Sequence, residues 1–174
     1  MSRGFVKEDD QEEAPFIPPR APLPDGVTNY VTPRGLTLLL EERAQLEKER
    51  GTVQRTDDVA RRHELGVING RLDLLNDRIG SARVVEPHPA PVDEVRFGTS
   101  VTFEYLSGPQ QGTTRTFTLV GVDEASVAEL RIAFTSPIAR ALLGRRVGER
   151  VQLALGPSQQ ELEVTAISVP DPGK

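Results

Sequence analysis

Between Thr32 and Ala82, apolar residues recur at helical steps in two stretches. The first is Leu36, Leu39, Leu40, Ala44, Leu46 and Val53; the second is Leu65, Ile68, Leu72, Leu75, Ile79 and Ala82. The second alternates steps of three and four, the spacing of a coiled-coil seam. Thr32-Pro33 offers a capping hydroxyl followed by proline at the first helical position, where no amide hydrogen is needed. Pairing 39 with 79, 46 with 72, 53 with 65 and 36 with 82 holds one antiparallel register and puts the fold-back near residue 59. The pattern predicts an antiparallel helical hairpin (coiled coil) over residues 32–84, with arms of about 25 residues, roughly 35–40 Å each at 1.5 Å per residue. Its tip is Thr56-Asp57-Asp58-Val59-Ala60-Arg61-Arg62. Thr56 is expected to cap the returning helix, and the two aspartates suit its positive end. Gly51, Gly66, Gly70 and Gly80 each weaken helix by roughly 1 kcal/mol relative to alanine, so this is not an ideal coiled coil.

After the hairpin the periodicity changes. Residues 85–91 hold prolines at alternate positions, Glu86-Pro87-His88-Pro89-Ala90-Pro91, which resist both helix and sheet and read as a linker. Alternating patterns then predict strands at Val101–Tyr105, Thr116–Val122, Leu130–Phe134, Val151–Leu155 and Leu162–Ile167, with turns at Ser107-Gly108-Pro109, Gln111-Gly112 and Gly156-Pro157-Ser158. One short helix interrupts them. Ser136 can cap it, Pro137 suits its first turn, Ile138, Leu142 and Leu143 bury it, and Gly144 ends it. The fold class is α+β, with residues 92–170 forming an antiparallel sheet against one short helix.

Residues 1–31 read as an arm, with an acidic run, Glu8-Asp9-Asp10-Gln11-Glu12-Glu13, and a proline-rich stretch from Pro15 to Pro24. Phe5, Phe16, Ile17 and Tyr30 give it points at which to pack on the body or on a partner. The net charge of -5 divides as -3 over residues 1–33, +1 over 34–83 and -3 over 84–174, which argues against an autonomous nucleic-acid binder. Absence of cysteine excludes disulfides and thiolate metal sites. No apolar run approaches the roughly 18 residues of a membrane span, so a cytoplasmic protein without a membrane partner is expected. His63 and His88 sit in no catalytic or ligand constellation and are expected at the surface.

The string Ser136-Pro137-Ile138-Ala139-Arg140-Ala141-Leu142-Leu143-Gly144 with Val147-Gly148 resembles the C-terminal domain of the Gre family. These are bacterial transcript-cleavage factors that bind in the secondary channel of RNA polymerase. Gly70-Arg71-Leu72 through Ala82-Arg83-Val84-Val85, and Thr32 through Leu38, extend the likeness across the hairpin, to roughly residues 30–169. The resemblance implies an FKBP-like C-terminal domain that grips the channel rim through Ser136, Pro137, Ile138, Ala139 and Arg140. It also implies a hairpin that carries Asp57 and Asp58 to the polymerase's own Mg2+, where acidic tip residues help place a metal ion and a water for cleavage of backtracked RNA. Arg61 and Arg62 would lie near the RNA. The partner so implied is the RNA polymerase core enzyme, with the 3′ end of the nascent RNA met indirectly. The factor is expected to be a monomer with no cofactor of its own, and an accessory rather than an enzyme. Against the family pattern the hairpin is shortened by about two heptads in all, and Arg61 stands where a second tip acid is usual. A channel-occupying regulator that does not stimulate cleavage therefore stays open beside the cleavage factor. An FKBP-like peptide-binding module ranks below both, since residues 92–170 hold no Trp and Tyr105 alone among tyrosines.

Overall fold

The computed structural model describes residues 14–54 and 56–170. Phe5 and the acidic run Glu8–Glu13 lie outside the described residues. Helices α1 (Pro33–Thr52) and α2 (Asp58–Ser81) fold back on each other. α1 begins where the Thr32 hydroxyl accepts the Gly35 N–H at 2.9 Å. The seam buries Leu39, Leu46, Ile68, Leu72 and Leu75, with Leu36, Val53, Ile79 and Ala82 packed against them. Val53 and Leu65 are only half-buried, so the seam opens toward the tip, while Ala44, expected in the seam, is exposed between the buried Leu39 and Leu46 and faces away from it. The helices have 20 and 24 residues, about 30 and 36 Å. α1 is shorter than the 25 residues expected because the chain is already extended at Val53, with ψ at 109°.

Strands β1 (Tyr30–Val31) and β2 (Arg83–Val84) close the hairpin's base as a parallel pair. Val31 joins the hairpin core, and its carbonyl accepts from Val85 N–H at 2.9 Å.

The second unit is a five-stranded sheet of β3 (Ser100–Tyr105), β4 (Thr114–Val120), β5 (Arg131–Ala133), β6 (Arg150–Leu155) and β7 (Ser158–Ser168), ordered β5-β4-β3-β7-β6. Helix α3 (Pro137–Leu142) packs on it. β3 alternates buried with half-buried positions along its length, as the period-two pattern requires. Its inward residues Val101, Phe103 and Tyr105 meet Leu119, Val151, Leu153, Leu162 and Val164, with Ala139 and Leu142 of α3 closing the core. The class is α+β, and one pairing departs from the antiparallel expectation. The segment between β4 and β5 crosses over through a 3-10 turn at Val127–Glu129, so β5 runs parallel to β4 and the sheet is mixed. Gly121 lets this segment meet the hairpin base: a Cβ there would stand 2.7 Å from the Tyr30 carbonyl oxygen.

Candidate functional site

At the hairpin tip the side chain that caps α2 is Asp57, not Thr56 as expected. Its carboxylate accepts the Val59 N–H at 3.0 Å. A carboxylate here satisfies an otherwise unpaired amide and faces the positive end of the helix, both of which a hydroxyl does less well. Asp58, in the first turn, pairs with Arg61 at 3.2 Å, and the two side chains are 78% and 51% exposed. Arg62 and His63 are exposed on the same turn. An open cleft between the end of α1 and the start of α2 is lined by Glu49, Val53, Asp57, His63, Glu64 and Val67. Among the described residues no group of three or more His, Cys, Asp or Glu side chains is placed to hold a metal ion. Asp57 and Asp58 are two carboxylates and could supply only part of a shell of oxygen ligands.

At the other end, the Ser136 hydroxyl accepts the Ala139 N–H at 3.3 Å, and Pro137 fills the first turn of α3. Gly144 follows with φ of 78°, a left-handed backbone that glycine adopts without Cβ strain. The five residues expected to meet a partner divide by facing. Pro137 and Arg140 are exposed, Ser136 and Ile138 half-buried, and Ala139 is fully buried. Ala139 is thus a core residue that seats α3 on the sheet, and the accessible corner is Ser136, Pro137 and Arg140 with the edge of Ile138.

The sequence gives no hint of the polar junction between the hairpin and the sheet. Asp123 and Glu124 lie side by side after β4. The Asp123 carboxylate accepts from Arg20 at 2.8 Å and from Arg78 at 2.9 Å, and Arg20 also forks onto Glu42 with two bonds of 3.0 Å. Glu124, its side chain 1% exposed, accepts from Thr32 Oγ1 at 2.5 Å, Arg131 at 2.9 Å and Arg34 at 3.4 Å. Such burial is tolerable because every charge has an opposite partner and hydrogen bonds. Burial pulls the Arg20 guanidinium down, but its bonds to Glu42 and Asp123 outweigh that and leave it above its ordinary value, charged throughout the usual pH range. Beside these pairs, Tyr30, Phe97 and Phe134 pack edge-to-face or tilted with ring centroids 5.5–5.9 Å apart, joining β1 to the sheet. His88, expected at the surface, is half-buried here, with Nε2 3.2 Å from the Phe97 carbonyl oxygen.

Residues 89–169 match the family described as "Transcription elongation factor, GreA/GreB, C-term". The chain is 35% identical to transcription elongation factor GreA of Syntrophotalea carbinolica over 109 residues, covering 63% of this chain and 67% of that protein. It is 31% identical to GreA of Methylococcus capsulatus over 137 residues, covering 78% and 82%. With transcription elongation factor GreB of Neisseria meningitidis the identity is 30% over 155 residues, covering 80% and 93%. Among solved structures, Thermus aquaticus Gfh1 is 27% identical, with 80% of this chain and 97% of that one covered at a TM-score of 0.39.

Proposed function

The chain belongs to the GreA/GreB family of transcription elongation factors, and from that premise we propose that it binds RNA polymerase, inserts its hairpin into the secondary channel and promotes cleavage of backtracked transcripts. The observation that carries this reading is the pairing of two features. An exposed acidic pair, Asp57 and Asp58, stands at the far end of helices about 30–36 Å long. The other end is rooted in the domain that matches the family. The corner formed by Ser136, Pro137 and Arg140 is the proposed grip on the polymerase. The reactive metal is the polymerase's own magnesium, which when bound polarises phosphate oxygens and favours ionisation of a bound water. This chain's part is then to add carboxylate oxygen from Asp58, and from the oxygen of Asp57 not used in the cap, and to hold the tip rigid. Arg61 and Arg62 bring positive charge to the same turn, where RNA phosphate would lie. The factor supplies ligands and position, not a complete site, so it acts through the polymerase.

One observation favours the second reading, a regulator that occupies the channel without stimulating cleavage. Asp57 is engaged as a cap and Asp58 is paired with Arg61, so both tip acids already have partners within the chain. The deciding experiment is cleavage of a stalled, backtracked elongation complex across magnesium concentrations, with binding measured in parallel. Asp57→Asn with Asp58→Asn is expected to keep polymerase affinity and abolish stimulated cleavage. If the unaltered protein binds and cuts nothing, the regulator reading replaces it; if it does not bind, both fall.

A further inference from the structure

The proline-rich arm is seated in the hairpin by a match of spacings. Gly66 and Gly70 lie about one turn apart on one face of α2, and Arg78 stands eight residues further on, where its long side chain reaches round to the same side. The steps are about 6 and 12 Å along the axis. The arm lies along it in irregular, non-helical conformation, and extended chain advances about 3.3 Å per residue. Two residues from Pro15 to Ile17 therefore cover about 6.6 Å, and four from Ile17 to Ala21 about 13 Å. The contacts follow that match. A Cβ on Gly66 would meet Pro15 at 2.9 Å, a Cβ on Gly70 would fall onto the Ile17 side chain, and Arg78 donates to the Ala21 carbonyl oxygen at 2.7 Å. Phe16, between the two inward residues, points away and is 78% exposed. The helix-weakening glycines of α2 thus open a groove that any larger side chain would fill.

The seated arm does not stop at the hairpin. Arg20 grips Glu42 of α1 and Asp123 of the sheet domain together, and Asp123 in turn holds Arg78 of α2. One short segment touches both helices and the domain that carries them.

We propose that residues 15–21 are a strap that fixes the direction in which the hairpin leaves the sheet domain, with Gly66 and Gly70 as its seat and Arg20, Arg78 and Asp123 as the positioning residues. The strap sets aim, a property separate from the chemistry at the tip and from any grip on polymerase. A strap that had no such role would need contacts only to one helix, and Arg20 would have no reason to span α1 and Asp123.

The test uses the full chain, which has no cysteine of its own. Spin-label pairs are placed at exposed residues by cysteine substitution. Phe16 with Glu47 reports seating of the arm, and Ala60 with Gln111 reports hairpin direction. The unaltered background should give one narrow distance for each pair. Gly66→Leu with Gly70→Leu, which keeps good helix formers in α2, should broaden the arm distance and, with it, the hairpin distance. Arg20→Gln is the second variant, and it leaves both helices untouched should the double leucine disturb the hairpin; it should broaden the hairpin distance as well. Arg20→Lys should restore part of the narrow population. If the arm distance broadens while the hairpin distance stays narrow in both variants, the strap does not set direction and the proposal fails. If the arm distance stays narrow in both, the glycine seat is wrong and it fails equally. No polymerase is present, so either result is separate from the fate of the binding reading above.

Discussion

Leu72→Ala tests the hairpin seam at a buried position of α2. Leu72 is 4% exposed and sits in one cluster with Leu39, Leu46, Ile68 and Leu75. The substitution removes three carbons, about 2.4 kcal/mol of transfer free energy at roughly 0.8 kcal/mol each. The cavity left behind raises the cost toward the upper part of the usual 2–5 kcal/mol for Leu→Ala, unless neighbours close in. Two helices bounded by solvent can close more readily than a deep core, so the expected loss is about 2.5–3.5 kcal/mol. Leu74→Ala is the internal control. It deletes the same atoms two residues away, where the side chain is 39% exposed and outside the seam, and should cost under about 1 kcal/mol. The assay is urea unfolding followed by far-ultraviolet circular dichroism for the helices. Because hairpin and sheet have separate cores, side-chain NMR signals from the sheet are followed in parallel as a check on two-state behaviour. A loss below about 1 kcal/mol for Leu72→Ala, or equal losses for the two variants, would refute the seam assignment.

Cysteines introduced at 46 and 72 should crosslink in preference to a pair at 46 and 65, read by non-reducing electrophoresis; the reverse preference would show a slipped register. Gly35→Ala should gain nothing from its helix propensity of about 1 kcal/mol, because the new Cβ would stand 2.8 Å from the locked Glu124 carboxylate. Gly80→Ala, with open space around it, should be neutral or stabilising, and thermal unfolding compares the two. Burial raises the Tyr105 hydroxyl above its ordinary value, against a smaller lowering by Arg115, so the folded state holds that proton more tightly than the unfolded chain. That contribution to stability is full below the unfolded value of about 10 and is lost as pH rises through the folded one. Tyr105→Phe should therefore flatten the alkaline decline of the unfolding midpoint, and an unchanged decline would count against it.

What could be read from the chain was whatever repeats along it. Leu39, Leu46, Leu72 and Ile79 announce their seam because a helix brings every third or fourth residue to one face. The caps at Thr32 and Ser136 are visible because a hydroxyl followed by proline has a local geometric meaning. At α2 two adjacent residues can cap, Thr56 and Asp57, and the chain uses Asp57, whose carboxylate is the stronger cap at a positive helix end. The resemblance counts Ala139 among residues that meet the polymerase, but it is fully buried, because a motif names residues without telling which side of a one-and-a-half-turn helix they face. Tertiary partnerships left no trace. Nothing local tells that Gly66 and Gly70 are empty for the sake of Pro15 and Ile17, or that Asp123 and Arg20, more than 100 residues apart, will meet. The parallel β4–β5 pair was equally silent, because alternation specifies which face is buried and not which way the neighbouring strand runs.

The short parallel ladder of Tyr30–Val31 with Arg83–Val84 turns the hairpin into an interchangeable cassette. β1 leads directly into α1 and β2 leads directly out of α2, so the ladder stitches the two open ends of the helical pair together and the sheet domain meets the same stub whatever length of rod grows from it. Beyond Glu42 and Gly66, the outermost points that the described arm touches, whole heptads can be added or removed to change how deep a probe reaches without altering the joint that carries it.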